Sequence, residues 1–224
     1  MMNEPLLPCI EIEPPVPARA AVIWLHGLGA DGHDFEGVAA QLALPADAAI
    51  RFIFPHAPEM PVTLNNGYVM RAWYDIYSLD LSGGEDEAGI RASEERVRAL
   101  VAREVARGVP PARVVLAGFS QGGAVVLHTG LRYGERLGGI MALSTYLPLH
   151  AKLVDERRAE SAETPVFVGH GRFDSVIPER AGRHAAETLS EWGMRCEYRD
   201  YPMDHSVCVE ELEQIRDWLV RVLA

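Results

Sequence analysis

The sequence predicts an α/β fold: one mainly parallel sheet covered by helices on both faces. Two patterns carry this expectation. Short apolar, β-branched runs alternate along the chain with longer stretches whose apolar residues recur at helical spacing. In addition, Val114-Val115-Leu116-Ala117-Gly118-Phe119-Ser120-Gln121-Gly122-Gly123 places a buried-strand pattern, a sharp turn and a helix-compatible run of small and apolar residues in direct succession.

The elements follow in order. Residues 9–13 alternate apolar and acidic side chains, as a half-exposed edge strand does. Buried strands are expected at residues 20–26, 50–54, 113–117, 139–143, 165–169 and 195–201. A helix at 34–44 follows a glycine-rich loop. The helix at 85–107 carries Ile90, Val97, Leu100, Val101 and Val105 on one face and stops at Gly108-Val109-Pro110-Pro111. Helices at 179–192 and 209–222 are also amphipathic, the latter through Val209, Leu212, Ile215, Leu219 and Val222. Such stripes are core-facing surfaces and take no functional role. Residues 55–84 break the alternation. They hold Pro58, Pro61, Asn65-Asn66-Gly67 and Gly83-Gly84, yet also Met60, Met70, Trp73, Tyr74 and Tyr77. Long loops in compact domains are functional or disordered, and the aromatic content argues for a wall over the functional site.

The chain has 224 residues, 48% of them apolar, which suits a single domain over residues 1–224. Twenty-one basic against 32 acidic residues give a net charge of −11. An acidic surface repels phosphate backbones, so no nucleic-acid partner is expected, nor docking on anionic membranes through a basic face. Residues 1–5 lack the features of a signal peptide, and no window is long and apolar enough for a membrane span. Three widely spaced cysteines, Cys9, Cys196 and Cys208, form no metal-ligand pattern and fit free thiols in a reducing cytoplasm.

The turn at Ser120 has the G-x-S-x-G form that lifts a nucleophilic hydroxyl above the end of a strand. Gly118 and Gly122 avoid a Cβ where strand and helix nearly touch. An idle serine in a glycine-rich turn is the plain alternative. A serine hydroxyl needs a base within hydrogen-bond reach, and the base needs an acceptor that fixes its tautomer. In this strand order the acid and then the histidine follow the serine, each after a later strand. Asp174 lies in the loop after residues 165–169, where it also suits a turn or cap. Asp200 and Asp204 are the other carboxylates in reach of the argument. Of eight histidines, His26, His33 and His56 precede Ser120, His128 and His184 fall within helices, His150 lies in a polar connection, and His170 precedes Asp174. His205 alone follows the acid at a strand end. The oxyanion donors expected are the backbone N–H groups of Gln121 and of Leu28, in the loop Leu25-His26-Gly27-Leu28-Gly29-Ala30-Asp31-Gly32. That loop lacks the patterns of a phosphate-binding turn, and His26 reads as a structural hydrogen-bonder.

Taken together these segments resemble the carboxylesterase, lysophospholipase and acyl-protein thioesterase group of small α/β-hydrolases. Leu25-His26-Gly27-Leu28-Gly29 is similar to its oxyanion loop, and Phe54-Pro55-His56-Ala57-Pro58 to a second signature. Pro61-Val62-Thr63-Leu64-Asn65 and Ala72-Trp73-Tyr74-Asp75-Ile76 resemble its substrate-channel loop. Gly118 to Gly123, His170-Gly171 with Asp174, and Met203 with His205-Ser206 resemble its catalytic segments. The resemblance implies an α/β-hydrolase fold without a separate cap domain, a serine carboxylesterase acting on short- to medium-chain acyl groups, and no metal or organic cofactor. Its substrate would be a small-molecule ester or thioester. Acyl-protein thioesterase or lysophospholipase activity is the alternative, and a non-catalytic binding module a more distant one; a homodimer stays open. It also implies that Leu64, Met70, Trp73, Tyr146 and Val176 line the acyl channel. Two positions depart from the pattern: Tyr146 stands where some relatives carry Trp, and Asp204 sets a carboxylate beside His205 that would raise the imidazole pKa if it pointed inward.

Overall fold

A computed structural model describes residues 6–78 and 83–223. The reading of residues 1–5 and residues 79–82 of the 55–84 segment lie outside the described residues. In chain order the strands are β1 (Cys9–Ile12), β2 (Ala20–Leu25), β3 (Ile50–Pro55), β4 (Glu59–Val62), β5 (Tyr68–Arg71), β6 (Val114–Phe119), β7 (Gly139–Leu143), β8 (Val166–Gly171) and β9 (Cys196–Tyr201). The helices are α1 (Glu36–Gln41), α2 (Glu87–Ala106), α3 (Gln121–Arg132), α4 (His150–Glu156), α5 (Glu179–Glu191) and α6 (Val209–Val222).

Among the described residues, seven strands form the main sheet in the order β1-β3-β2-β6-β7-β8-β9. β1 runs antiparallel on the edge, with Cys9 opposite Pro55, and every other pairing is parallel. The register aligns the strand ends that matter: Leu25 lies beside Gly118, Phe119 beside Leu143, and Gly171 beside Tyr201. The loops after β2, β6, β7, β8 and β9 therefore leave along one edge of the sheet, where parallel sheets place their sites.

Alternation along the buried strands splits the core. Ala21, Ile23 and Leu25 face a cluster that includes Val97, Val125, Leu153 and Ala185 from α2, α3, α4 and α5. Ala20, Val22 and Trp24 face Phe35, Leu42, Ile215 and Trp218 on the side of α1 and α6. Helix α1 is shorter than the 34–44 expected, because Ala43 turns to a left-handed φ of 44° ahead of Pro45. His150, expected in a polar connection, opens α4 instead.

Two helix faces depart from the apolar stripes. Val105 is 41% exposed, and Glu104 takes the buried place beside it. There the Glu104 carboxylate accepts from Arg51 (2.6 Å), Arg107 (3.0 Å) and Arg103 (3.1 Å), which removes the penalty of an unpaired buried charge. On α6, Val209 is 73% exposed while Glu211 is buried. Neither Glu211 carboxyl oxygen has a partner among the described residues, and burial pushes its pKa up to about 8 from an ordinary 4.5. Folding thus favours the protonated acid. This contribution is intact below about pH 4.5, is lost as pH rises towards 8 at about 1.4 kcal/mol per pH unit, and then levels off. Denaturant unfolding at pH 5, 6.5 and 8 is expected to show Glu211→Gln gaining on the unsubstituted protein across that interval; parallel pH profiles would refute it.

Residues 55–84 are not irregular throughout. β4 and β5 pair as an antiparallel hairpin, Glu59 opposite Arg71 and Val62 opposite Tyr68. The turn uses Asn66 and Gly67 at positive φ, so the Asn65-Asn66-Gly67 run marks a hairpin rather than a plain loop.

Candidate active site

β6 ends at Phe119 and α3 begins at Gln121, so Ser120 alone makes the turn between them. Its backbone sits at φ 55°, ψ −119°, a conformation that costs a residue with a side chain about 1–3 kcal/mol. Tertiary bonds hold it there. The Ser120 N–H donates to the Leu143 carbonyl at 2.8 Å, and its carbonyl accepts from Thr145 Oγ1 at 2.7 Å and from the Ala124 N–H at 3.1 Å. The flanking glycines answer a close approach of backbones. A Cβ on Gly118 would lie 2.3 Å from the Gly122 carbonyl oxygen, and one on Gly122 would lie 2.5 and 2.6 Å from those of Leu25 and His26.

The structure brings Asp174 and His205 to Ser120. His205 Nε2 is 2.9 Å from Ser120 Oγ, and His205 Nδ1 is 2.7 Å from Asp174 Oδ2. A carboxylate only accepts, so Nδ1 carries the proton and Nε2 is left as the acceptor for the serine hydroxyl. The other oxygen, Asp174 Oδ1, accepts from the N–H groups of Val176 (2.9 Å) and Ile177 (2.8 Å), which fixes the carboxylate plane. Asp204 does not point inward. Its Oδ1 accepts from the Ser175 N–H and hydroxyl and from the His205 N–H at 2.8–2.9 Å, and these bonds hold its pKa below the usual range. It braces the loop of the acid against the loop of the base. Asp200 pairs with Arg172 at 2.8 Å.

His170, set aside on chain order, sits behind the acid. It is fully buried, donates from Nε2 to the Ile177 carbonyl at 2.8 Å, and lies 3.4 Å from Asp174 Oδ2. Burial lowers its pKa and keeps it a neutral strut for that loop. Its place beside Gly171, four residues before Asp174, was the available signal.

The loop after β2 is pinned from two sides. His26 donates from Nδ1 to the Gly27 carbonyl (2.7 Å) and accepts at Nε2 from the Ala57 N–H (3.1 Å). Acceptance at Nε2 needs the neutral ring, and burial brings its pKa down to about 4. Trp73 donates its indole N–H to the His26 carbonyl at 2.9 Å. The Gln121 side chain accepts from the Trp73 N–H (2.8 Å) and donates to the Tyr74 carbonyl (2.7 Å). The backbone N–H groups of Leu28 and Gln121 have no acceptor among the described residues, and both residues border the same cavity as Ser120. Two such donors beside a serine are an oxyanion-binding arrangement.

That cavity has a volume of about 690 Å³. Tyr146 and Val176 line it, together with Tyr74, Ile76, Phe119, Ile177 and Ala181. Tyr74 and Tyr146 are joined through their hydroxyls at 2.8 Å. Leu64, Met70 and Trp73 are not among the described residues of its wall. Trp73 is buried beneath the oxyanion loop that its indole holds. Met70 lies on the hairpin with its sulfur against Asn65 and Gly29, and Leu64 braces the wall by its N–H bond to the Ile76 carbonyl. Tyr74 and Ile76 were missed because 55–84 showed no period to say which side chains turn inward.

A nucleophile elbow at the carboxyl edge of this sheet, with a histidine and an acid on the two loops that follow, defines a serine hydrolase of the α/β-hydrolase fold. The model of the phospholipase/carboxylesterase family matches residues 8–223, and the chain belongs to that family. It is 40% identical over 213 residues to acyl-protein thioesterase 1 of Neurospora crassa, covering 91% of this chain and 87% of that protein. It is 36% identical over 209 residues to carboxylesterase SOBER1 of Arabidopsis thaliana, covering 92% of each. The crystal structure of SOBER1 superposes with a TM-score of 0.86 over 92% of this chain and 100% of that one. That of Zea mays acyl-protein thioesterase 2 superposes at 0.84 with 27% identity, over 97% of this chain and 99% of that one.

Proposed function

We propose that the chain acts as a single domain, residues 1–224 without a separate cap, and hydrolyses carboxylic esters of short- to medium-chain acids through an acyl-enzyme. The hydrogen-bonded line from Ser120 through His205 to Asp174, opening on a largely apolar cavity, carries this reading. Ser120 Oγ attacks the ester carbonyl while His205 Nε2 takes its proton, and Asp174 stabilises the imidazolium. The carbonyl oxygen, now negative, accepts from the Leu28 and Gln121 N–H groups. Collapse breaks the ester C–O bond, and His205 returns the proton to the departing alcohol. Water then enters, gives a proton to His205, and releases the acid and Ser120 by the reverse sequence. Tyr146 and Val176 receive the acyl group. The steps need no group beyond the chain and water.

A second reading, hydrolysis of acyl thioesters on protein cysteines, is supported by the relatedness to acyl-protein thioesterase 1. The same residues serve it, with the C–S bond breaking and His205 returning its proton to the departing cysteine sulfur. No described helix is long and apolar enough to cross a membrane, and Cys9, Cys196 and Cys208 are free, which supports placing the enzyme in the cytoplasm.

Labelling by a fluorophosphonate tests the proposal. One adduct on Ser120 is expected, and none in Ser120→Ala. An unlabelled wild-type protein, or a labelled Ser120→Ala, would sink it. Turnover on an S-acylated cysteine peptide against a small oxygen ester of the same acid separates the two readings.

A further inference from the structure

The cavity that receives the substrate carries one acidic and one basic side chain in its wall. Among the described residues of its wall, the carboxylate and guanidinium side chains are Asp34, which follows the oxyanion loop, and Arg180, in the first turn of α5. They form no ion pair with each other. Arg180 is exposed where the cavity meets solvent, and its guanidinium has no hydrogen bond or ion pair to a described residue. The acids around it are engaged elsewhere. Glu179 holds Arg183 at 2.6 Å and the Tyr198 hydroxyl, Asp174 holds His205, and Asp204 holds the Ser175 loop.

Stability does not account for this cation. The first turn of a helix disfavours positive charge, and no acid among the described residues is bonded to this one. The chain carries a net charge of −11, so its general field turns anions away. A lone guanidinium on the rim of the substrate cavity reverses that field locally, and its planar fork matches a carboxylate or phosphate. Asp34, with Asp31 beside it, borders the same cavity next to the oxyanion loop and repels an anion there. The two charges therefore act in the same sense, drawing an anion towards α5 and away from the oxyanion loop.

We propose that Arg180 makes this enzyme selective for esters that carry an anionic group, a carboxylate or phosphate, away from the scissile bond, and that it holds that group at the α5 rim of the cavity. The proposal rests on the ester-hydrolase reading above and names the substrate class within it.

The test compares kcat/KM for matched substrates in the full-length protein. One pair sets the 4-nitrophenyl hemiester of a dicarboxylic acid against the 4-nitrophenyl ester of a neutral acid of equal length. A second pair carries the charge on the alcohol instead, as a carboxylate in one series and a phosphate in another. In at least one pair the charged-to-neutral ratio is expected to fall on the order of tenfold in Arg180→Gln, to fall further in Arg180→Glu, and to be largely kept in Arg180→Lys. The pair that responds shows which end of the substrate meets α5. Ratios within twofold of wild type in both Arg180→Gln and Arg180→Glu, for every pair, overturn the proposal while leaving the hydrolase reading in place. Failure of the wild-type protein to take a fluorophosphonate on Ser120 overturns both.

Discussion

Asp174→Asn is expected to lower kcat about ten-thousandfold on an activated ester, and His205→Ala about a millionfold. The asparagine effect follows from the bonds in place. Asp174 Oδ1 accepts from two backbone N–H groups, Val176 and Ile177, so an amide at this position keeps its oxygen there. Its NH₂ then faces His205 Nδ1, now at 2.7 Å from Oδ2. Nδ1 must become an acceptor, and the proton moves to Nε2. A ring protonated at Nε2 donates towards Ser120 and takes no proton from it. Asp204→Asn keeps an oxygen for the bonds from the Ser175 loop and the His205 N–H, and is expected to stay within about tenfold of wild type. Kinetics on a 4-nitrophenyl ester, with circular dichroism as a check on folding, measure all three. If Asp174→Asn keeps turnover within tenfold of wild type, or Asp204→Asn falls below it, the acid is misassigned.

Gly122→Ala is expected to destabilise the protein by about 3 kcal/mol, lowering the thermal midpoint by roughly 6–12 °C, and to abolish turnover. The added methyl would sit 2.5 Å from the Leu25 carbonyl oxygen and 2.6 Å from that of His26. Both are backbone atoms at the end of a central strand and cannot swing aside as a flexible side chain does. The elbow must part from the loop that carries Leu28, which separates the serine from one oxyanion donor. Gly37→Ala in α1 is the control. Its Cβ would meet nothing closer than Gln41 Nε2 at 3.9 Å, so a small gain of about 0.5–1 kcal/mol is expected there. Thermal unfolding of the two variants checks both signs, and equal midpoints would refute the close-contact account.

Much of the architecture was legible because buried parallel strands leave a strong trace. Residues 20–25 and 114–117 are apolar on both faces, and only a doubly covered sheet accepts such runs. The positions of Ser120 and His205 were legible because chain order in this topology leaves few candidates. Where the reading failed, a polar group was buried in spite of its type. The stripe rule put Val105 and Val209 inside, whereas Glu104 lies inside among three arginines and Glu211 lies inside unpaired. Ion pairing comes from chain segments far apart, as Arg51 is from Glu104, and periodicity within one helix carries no trace of it.

The substrate-facing residues show the same division. The sequence by itself determined the fold, the order of the reacting groups and the glycines that the elbow needs, since each follows from local pattern and strand topology. Tertiary structure alone decided that Trp73 pins the loop after β2 while Tyr74 and Ile76 line the cavity beside Ser120. It also decided that Asp204 braces a loop instead of charging the imidazole, and that Arg180 stands on the cavity rim with no partner among the described residues. A side chain's direction out of an aperiodic segment, and the partner it meets, depend on atoms distant in the chain; only packing brings them together.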